Sequence, residues 1–127
     1  MTPALDAIGI VSADAARSVA FYKLLGVDLV QYEASGHYEA KAANGMRVLL
    51  DTIAVIKRFD PAFEQRPGTG VTMCFKLDSA NAVDELHATI AAAGHHTVKA
   101  PWDAFWGQRY ACVADPDGNQ IDLFAQL

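Results

Sequence analysis

The stretch Tyr110–Phe124 reads YACVADPDGNQIDLF and joins two apolar, strand-like runs through an Asp-Pro-Asp-Gly turn. Pro116 fixes φ in this turn, and Gly118 accepts a positive φ. Asp115 and Asp117 are residue types that hydrogen-bond neighbouring backbone N–H groups in turns. The stretch therefore predicts a β-hairpin in the last part of the sequence.

The first half of the sequence repeats this pattern. Asn44-Gly45 separates two strand-like runs, and this dipeptide is a strong signal for a hairpin. One helix is predicted in each half, and each ends at a glycine. The order β-α-β-β-β therefore occurs twice. The predicted strands are Asp6–Ser12, Val27–Glu33, Tyr38–Ala42, Met46–Asp51, Val71–Leu77, His96–Val98 and the two runs of the Tyr110–Phe124 hairpin, and the predicted helices are Asp14–Leu25 and Ser79–Ala93.

Two motifs carry a family resemblance. RSVAFYKLLG, from Arg17 to Gly26, together with the closing ADPDGNQIDLF, resembles the glyoxalase/bleomycin-resistance/extradiol-dioxygenase superfamily, also called vicinal oxygen chelate proteins. The resemblance covers essentially the whole sequence. It implies an α+β fold in which two paired βαβββ modules form a curved, cup-shaped mixed sheet with helices on the outside. We expect one domain over 1–127, with module one over about 1–56, a linker over 57–70 and module two over 71–127. A solvated linker is preferred to a lid over the pocket.

Composition limits the classes of function. The 127 residues are 52% hydrophobic, which is ample for one core. No segment is apolar enough to cross a bilayer, so we expect a cytoplasmic protein without a membrane partner. The net charge of −5 and scattered Lys and Arg argue against nucleic acid and favour a cationic or neutral ligand. Cys74 and Cys112 lie in apolar runs and are predicted to be reduced core residues.

The resemblance also implies where a metal would bind. In the family's metalloenzymes, side chains from both modules converge on one divalent ion. The corresponding positions here are Ala7 or Asp6, Asp51, Thr72 and Asp122. The two usual histidines are missing and the two acids are shortened, so we predict no metal site and no cofactor. A hard cation such as Mg²⁺, held by Asp51 and Asp122, is the alternative. The preferred interpretation is that each Asp hydrogen-bonds a neighbouring side chain.

The four histidines do not supply a metal site. His87 is expected at the solvent side or flank of the second helix, and His95 and His96 follow the glycine that ends it. His37 is interpreted as an exposed turn residue, with a role as ligand or general base as the alternative.

An aromatic segment, Pro101–Tyr110, lies between two predicted strands. Aromatic rings offer rigid walls that hold planar or cationic ligands. Whether Trp102, Phe105 and Trp106 line a binding site, or instead fill the core or a dimer interface, is left open. Strand alternation places Gln108 and Tyr110 on one face and Arg109 on the other. Arg109 is a candidate partner for Asp122 or Asp51.

These observations favour a protein of the glyoxalase/bleomycin-resistance type that captures a small aromatic or cationic ligand without a metal. The alternative is a divalent-metal-dependent lyase, isomerase or dioxygenase of the same superfamily, and a fold retained for protein contacts is a third. The resemblance implies a homodimer. No catalytic residue is assigned. The predicted ligand-binding residues are Tyr38, Asp51, Trp102, Phe105, Trp106, Gln108, Arg109 and Asp122.

Overall fold

The computed structural model describes residues 1–66, 68 and 70–127, and the chain divides into two compact units, Met1–Arg66 and Pro67–Leu127. Each unit contains the order β-α-β-β-β, so the predicted duplication and the α+β class are confirmed. The first unit contains β1 (Ala7–Ser12), α1 (Ala15–Leu24), β2 (Val30–Gln31), β3 (His37–Lys41), β4 (Arg47–Thr52) and α2 (Ile53–Lys57). The second contains β5 (Met73–Lys76), α3 (Ala80–Ala92), β6 (Thr97–Ala104), β7 (Gln108–Ala114) and β8 (Gln120–Gln126).

The first unit is a four-stranded mixed sheet in the order β1-β4-β3-β2, with β1 parallel to β4. Asp14 caps α1 by accepting a hydrogen bond from the Arg17 backbone N–H. The Ser12 and Ser18 hydroxyls share a buried 2.7 Å hydrogen bond, which ties β1 to α1. Side chains alternate along each strand. Ile10 on β1 and Leu50 on β4 are paired and buried on the face towards α1, whereas their neighbours in sequence point away from it.

The second unit repeats this arrangement in the order β5-β8-β7-β6, with β5 parallel to β8. Helix α3 contacts β6, β7 and β8. Its Val83 and Ile90 are buried, and so are alternate residues of the sheet. These sheet residues, which form the face towards α3, are Ala111, Val113, Ile121, Leu123 and Ala125. Arg109 lies on this same face, and the residues that alternate with these along β7 and β8 form the face away from α3.

The predicted element boundaries differ most from the observed ones at three places. β2 keeps only Val30–Gln31 of the predicted Val27–Glu33 strand. Thr52–Ile56 was interpreted as a strand tail or a short turn, but Ile53–Lys57 is a helix whose N-cap is Thr52. β6 runs to Ala104 rather than ending at Val98, so the aromatic segment is a β-hairpin and not a connection between strands. The predicted linker 57–70 includes Pro67 and Thr69, which lie outside the described residues.

The two cysteines do not share one environment. Cys112 is buried, as predicted, but Cys74 is exposed, so its assignment to the core was wrong. Cys74 lies on β5, an edge strand, and points to the face away from α3.

In the described part of the chain, no helix has the length and apolar character needed to span a membrane.

Candidate functional site

The face of the second sheet that points away from α3 carries chemically distinctive side chains in two rows. Strand register places one residue from each of the four strands in each row. The aromatic row contains Lys76, Phe124, Tyr110 and Trp102. The carboxylate row beside it contains Cys74, Asp122, Cys112 and Lys99.

The rings of the aromatic row form a continuous cluster with the hairpin tip. The Tyr110 ring centroid lies 5.4 Å from Trp102 and 5.2 Å from Trp106, both edge to face. On its other side it stacks on Phe124 at 6.1 Å. The Trp106 indole N–H donates a 2.9 Å hydrogen bond to Gln108 Oε1, which fixes the orientation of the ring. Such a cluster presents flat apolar surface with polar edges.

The exposure of the tip excludes a role in the core. Trp106 is 48% exposed and Phe105 is 97% exposed, and Phe105 contacts the cluster through Trp106 at 5.0 Å. Of the alternatives left open by the sequence, core filling is therefore excluded for these two residues. A binding surface or an interface between copies both fit this exposure.

Asp122 lies beside the aromatic row and is only 7% exposed. Its Oδ2 accepts a 2.6 Å hydrogen bond from the Tyr110 hydroxyl, and its Oδ1 accepts a 3.0 Å bond from the Gln120 amide. Both donors are neutral. None of the ion pairs formed by the described residues includes Asp122. The site therefore combines aromatic rings with a buried carboxylate that forms no ion pair with any cation of the described residues.

The environment of Asp122 also keeps its neighbours protonated. Burial, followed by the hydrogen bond to Asp122, raises the pKa of Tyr110 above its usual value. Burial and the adjacent Asp122 carboxylate raise the pKa of the Cys112 thiol to about 12. At neutral pH both groups are therefore neutral, and Tyr110 remains a hydrogen-bond donor.

Arg109 does not belong to this site. Its Nε and Nη2 donate to the two carboxylate oxygens of Asp84 on α3, at 2.9 and 3.3 Å, and its Nη1 donates to Asp103 at 3.1 Å. Arg109 is therefore not the partner of Asp122 that the sequence offered as a candidate. Strand alternation directs Arg109 towards α3, where it links the helix to β6 and β7.

The first unit has a polar cluster on the face of its sheet that points away from α1. His37 Nδ1 lies 2.6 Å from Asp51 Oδ1, and His37 Nε2 lies 2.9 Å from Glu39 Oε2. Arg47 bonds both Glu39, at 2.7 Å, and Asp6. The bonds to Glu39 and then Asp51 raise the pKa of His37. His37 begins β3 and is half-buried, so its interpretation as an exposed turn residue is wrong.

Tyr38 lies apart from this cluster. It pairs with Leu50 across β3 and β4, whereas His37 pairs with Asp51. Leu50 faces α1, so Tyr38 and Asp51 lie on opposite faces of the same sheet. These two predicted ligand-binding residues are therefore not brought together.

The family's metal does not fit the donors in these positions. Ala7 and Thr72 offer no imidazole, and Asp6 bonds Arg47. Asp51 bonds His37, and both nitrogens of that ring already contact carboxylates. Both Asp122 oxygens accept hydrogen bonds. Over the described residues, no three His, Cys, Asp or Glu side chains are arranged to hold a metal. His87, expected at the solvent side or flank of the second helix, has a buried Nε2 and so does not point to solvent.

The fold and the sequence define the class of this protein. The chain belongs to the glyoxalase/bleomycin resistance protein/dioxygenase superfamily, whose family model matches residues 4–123. No curated protein matches the chain.

Solved structures with the same fold come from several bacteria. An Agrobacterium tumefaciens protein is 26% identical with a TM-score of 0.77, and 99% of each chain is covered. A Burkholderia phytofirmans enzyme described as glyoxalase/bleomycin resistance protein/dioxygenase family is 20% identical with a TM-score of 0.82, over 97% of this chain and 98% of that one. A Nocardioides glyoxalase/bleomycin resistance protein/dioxygenase is 24% identical with a TM-score of 0.76, over 100% and 85%.

Several residues of these sites were not predicted from the sequence. Phe124 and Gln120 follow from alternation along β8 once Asp122 is placed, so the signal was present. Lys99 has no such signal, because β6 contains two register irregularities, one on each side of it. Glu39 lies two residues after His37 on β3 and therefore on the same face, but its contact with His37 depends on side-chain direction.

Proposed function

We propose that this protein binds a small aromatic or cationic molecule on the face of the second sheet that points away from α3, without the divalent metal of the family's metalloenzymes. The observation that carries the proposal is Asp122, a carboxylate that is 7% exposed and whose hydrogen-bond donors are neutral. The ligand would place its cationic group against this carboxylate and its apolar body against the aromatic row.

The charge of Asp122 supports a cationic ligand. Burying a carboxylate costs free energy unless hydrogen bonds or an opposite charge offset the lost hydration. Tyr110 and Gln120 supply hydrogen bonds but no charge. A ligand cation would supply the missing charge, and the partly buried setting would make the attraction stronger than in bulk water.

The rings support the same class of ligand. The negative faces of Trp and Tyr attract cations within about 6 Å, with a free energy of about 0.5–2 kcal/mol per contact. Trp102, Trp106 and Tyr110 lie edge to face, so their faces point in different directions. A flat ligand that carries a positive charge would contact more than one of them.

Intrinsic fluorescence tests the proposal, because Trp102 and Trp106 are the only tryptophans in the sequence. Two probes of similar shape and opposite charge are suitable, benzyltrimethylammonium and phenylmethanesulfonate. We expect saturable quenching by the cation, with a dissociation constant of about a millimolar or tighter for so small a probe, and no saturable response to the anion. An equal response to both, or none to either, would overturn the proposal.

Native mass spectrometry separates this proposal from the metal-dependent alternative. The protein is measured as purified and after addition of Mn²⁺, Ni²⁺, Zn²⁺ or Fe²⁺. The proposal expects no stoichiometric metal at micromolar concentration, and one bound metal per chain would favour a lyase, isomerase or dioxygenase instead. The same spectra report the subunit number, for which we propose a homodimer.

A further inference from the structure

The carboxylate row carries a second charge, of opposite sign to Asp122. Cys112 pairs with Asp122 on one side and with Lys99 on the other. Asp122 and Lys99 therefore project from the same face on strands that lie two spacings apart, or about 10 Å. The half-buried Trp102 adjoins this row on the same face.

Within residues 1–66, 68 and 70–127, neither charge is paired with the other or with a further charged side chain. The ion pairs formed by the described residues include neither Asp122 nor Lys99. The Lys99 ammonium lies 3.9 Å from the centroid of the Trp102 ring, over its face. The lysine is thus directed to the aromatic row, and its charge is held at one side of the proposed site.

The position of Lys99 restricts the charge of the ligand group that can lie beside it. A ligand cation over the same face of Trp102 would meet the like charge of the ammonium and would have to displace it. An anionic group beside Lys99 would instead be attracted to it. Complementary charges of this kind favour one class of ligand and disfavour others.

We propose that the ligand is an aromatic zwitterion, an inference that rests on the proposed function. Its ammonium group would bind Asp122, its carboxylate would bind Lys99, and its ring would pack on the aromatic row. The separation of about 10 Å between the two strands leaves room between the side chains for a molecule whose own charges are a few ångströms apart, as in an α-amino acid or its betaine.

Two probes that differ only in a carboxylate test this inference. Benzyltrimethylammonium carries the cation alone, and N,N,N-trimethylphenylglycine adds a carboxylate on the carbon that bears the ammonium group. We expect the zwitterion to bind the unmodified protein about fivefold more tightly, the upper range for an exposed ion pair. Lys99→Met should abolish this preference without weakening the binding of benzyltrimethylammonium. Lys57→Met, which removes the same charge from the end of α2, should keep the preference.

The outcomes separate the two proposals. If benzyltrimethylammonium binds but the zwitterion binds no more tightly, or if Lys99→Met leaves the preference intact, the zwitterion inference is overturned and the proposed function stands. If neither probe binds, the proposed function is overturned and this inference with it.

Discussion

The Tyr110 hydroxyl donates a 2.6 Å hydrogen bond to Asp122 Oδ2, so a buried carboxylate is held by an aromatic side chain instead of a protein cation. The hydrogen bond keeps the Tyr110 ring in the aromatic row, where Trp102, Trp106 and Phe124 contact it. A negative charge and several ring faces are thereby brought to one surface. This combination is the basis of the binding function proposed for the chain.

Asp122→Asn removes the charge and keeps an oxygen that can accept from Tyr110. We expect its affinity for benzyltrimethylammonium to fall at least about tenfold, because contacts to charged groups contribute about 1.5–3 kcal/mol. Isothermal titration calorimetry measures the change. Asp103→Asn is the matched control, since Asp103 pairs with Arg109 and lies on the α3 side of the same sheet. Equal losses in the two variants would contradict a specific role for Asp122.

Trp106→Ala removes a ring that contacts Trp102, Phe105 and Tyr110. We expect weaker binding of the cationic probe, by about 0.5–2 kcal/mol for a lost cation–π contact. Phe105→Ala is the comparison, because Phe105 is 97% exposed and should change affinity little. Isothermal titration calorimetry measures the affinity of both variants for the cationic probe. A larger loss of affinity in Phe105→Ala would place the ligand at the hairpin tip instead.

The His37 cluster predicts a pH dependence in the first unit. Bonds to Glu39 and then Asp51 raise the pKa of His37 in the folded chain above its usual value of about 6.5. The resulting stabilisation is fully present below about pH 6.5 and is lost as the pH rises through the folded pKa. Urea unfolding between pH 6 and pH 9 should therefore show a decline in unfolding free energy, which is reduced in His37→Gln.

Nuclear magnetic resonance titration gives a direct control for this prediction. The ring Hε1 signal of His37, assigned by its absence from His37→Gln, should titrate above the usual pKa. A midpoint at or below about 6.5 would contradict the geometry of the cluster.

The two thiols should differ in reactivity. Cys74 is exposed, whereas Cys112 is buried and its pKa is raised to about 12. Because the thiolate is the reactive form, we expect a disulfide reagent at pH 8 to modify Cys74 rapidly and Cys112 only after denaturation. Peptide mass spectrometry identifies the modified residue, and Cys74→Ser should abolish the fast phase. Equal labelling of both thiols in the native protein would contradict the assigned burial.

The repeated strand and helix order was predictable because its signals are local. Gly26 and Gly94 both adopt positive φ just after the helices, as the sequence indicated. The hairpin of β7 and β8 formed around the Asp-Pro-Asp-Gly turn, where Asp115 accepts hydrogen bonds from the Asp117 and Asn119 backbone. These features need only neighbouring residues and general turn chemistry.

The pairing of His37 with Asp51 depends on the length of one turn. A two-residue Asn44-Gly45 turn, the form this dipeptide favours, would place His37 opposite Thr52. The observed loop instead closes between Ala42 and Met46, which moves the register by one residue and sets His37 opposite Asp51. A shift of one residue in the pairing register moves every side chain of the shifted strand to the opposite face of the sheet.

The position of Lys99 could not be predicted from the sequence for a related reason. Thr97 pairs with Val113, which faces α3, whereas Lys99 pairs with Cys112 on the opposite face. Regular alternation would have placed Thr97 and Lys99 on the same face. The irregularity between Lys99 and Trp102 then sets these two residues on one face although they are three apart.

The most direct test of the binding site uses the indole N–H signals of Trp102 and Trp106 in a ¹⁵N–¹H spectrum. The chain contains only these two tryptophans, and both belong to the aromatic cluster. Titration with benzyltrimethylammonium should shift both signals to saturation, while phenylmethanesulfonate should leave them in place. Indole signals that stay fixed at saturating cation, or that follow the anion equally, would contradict the proposal that this face binds a cationic aromatic ligand.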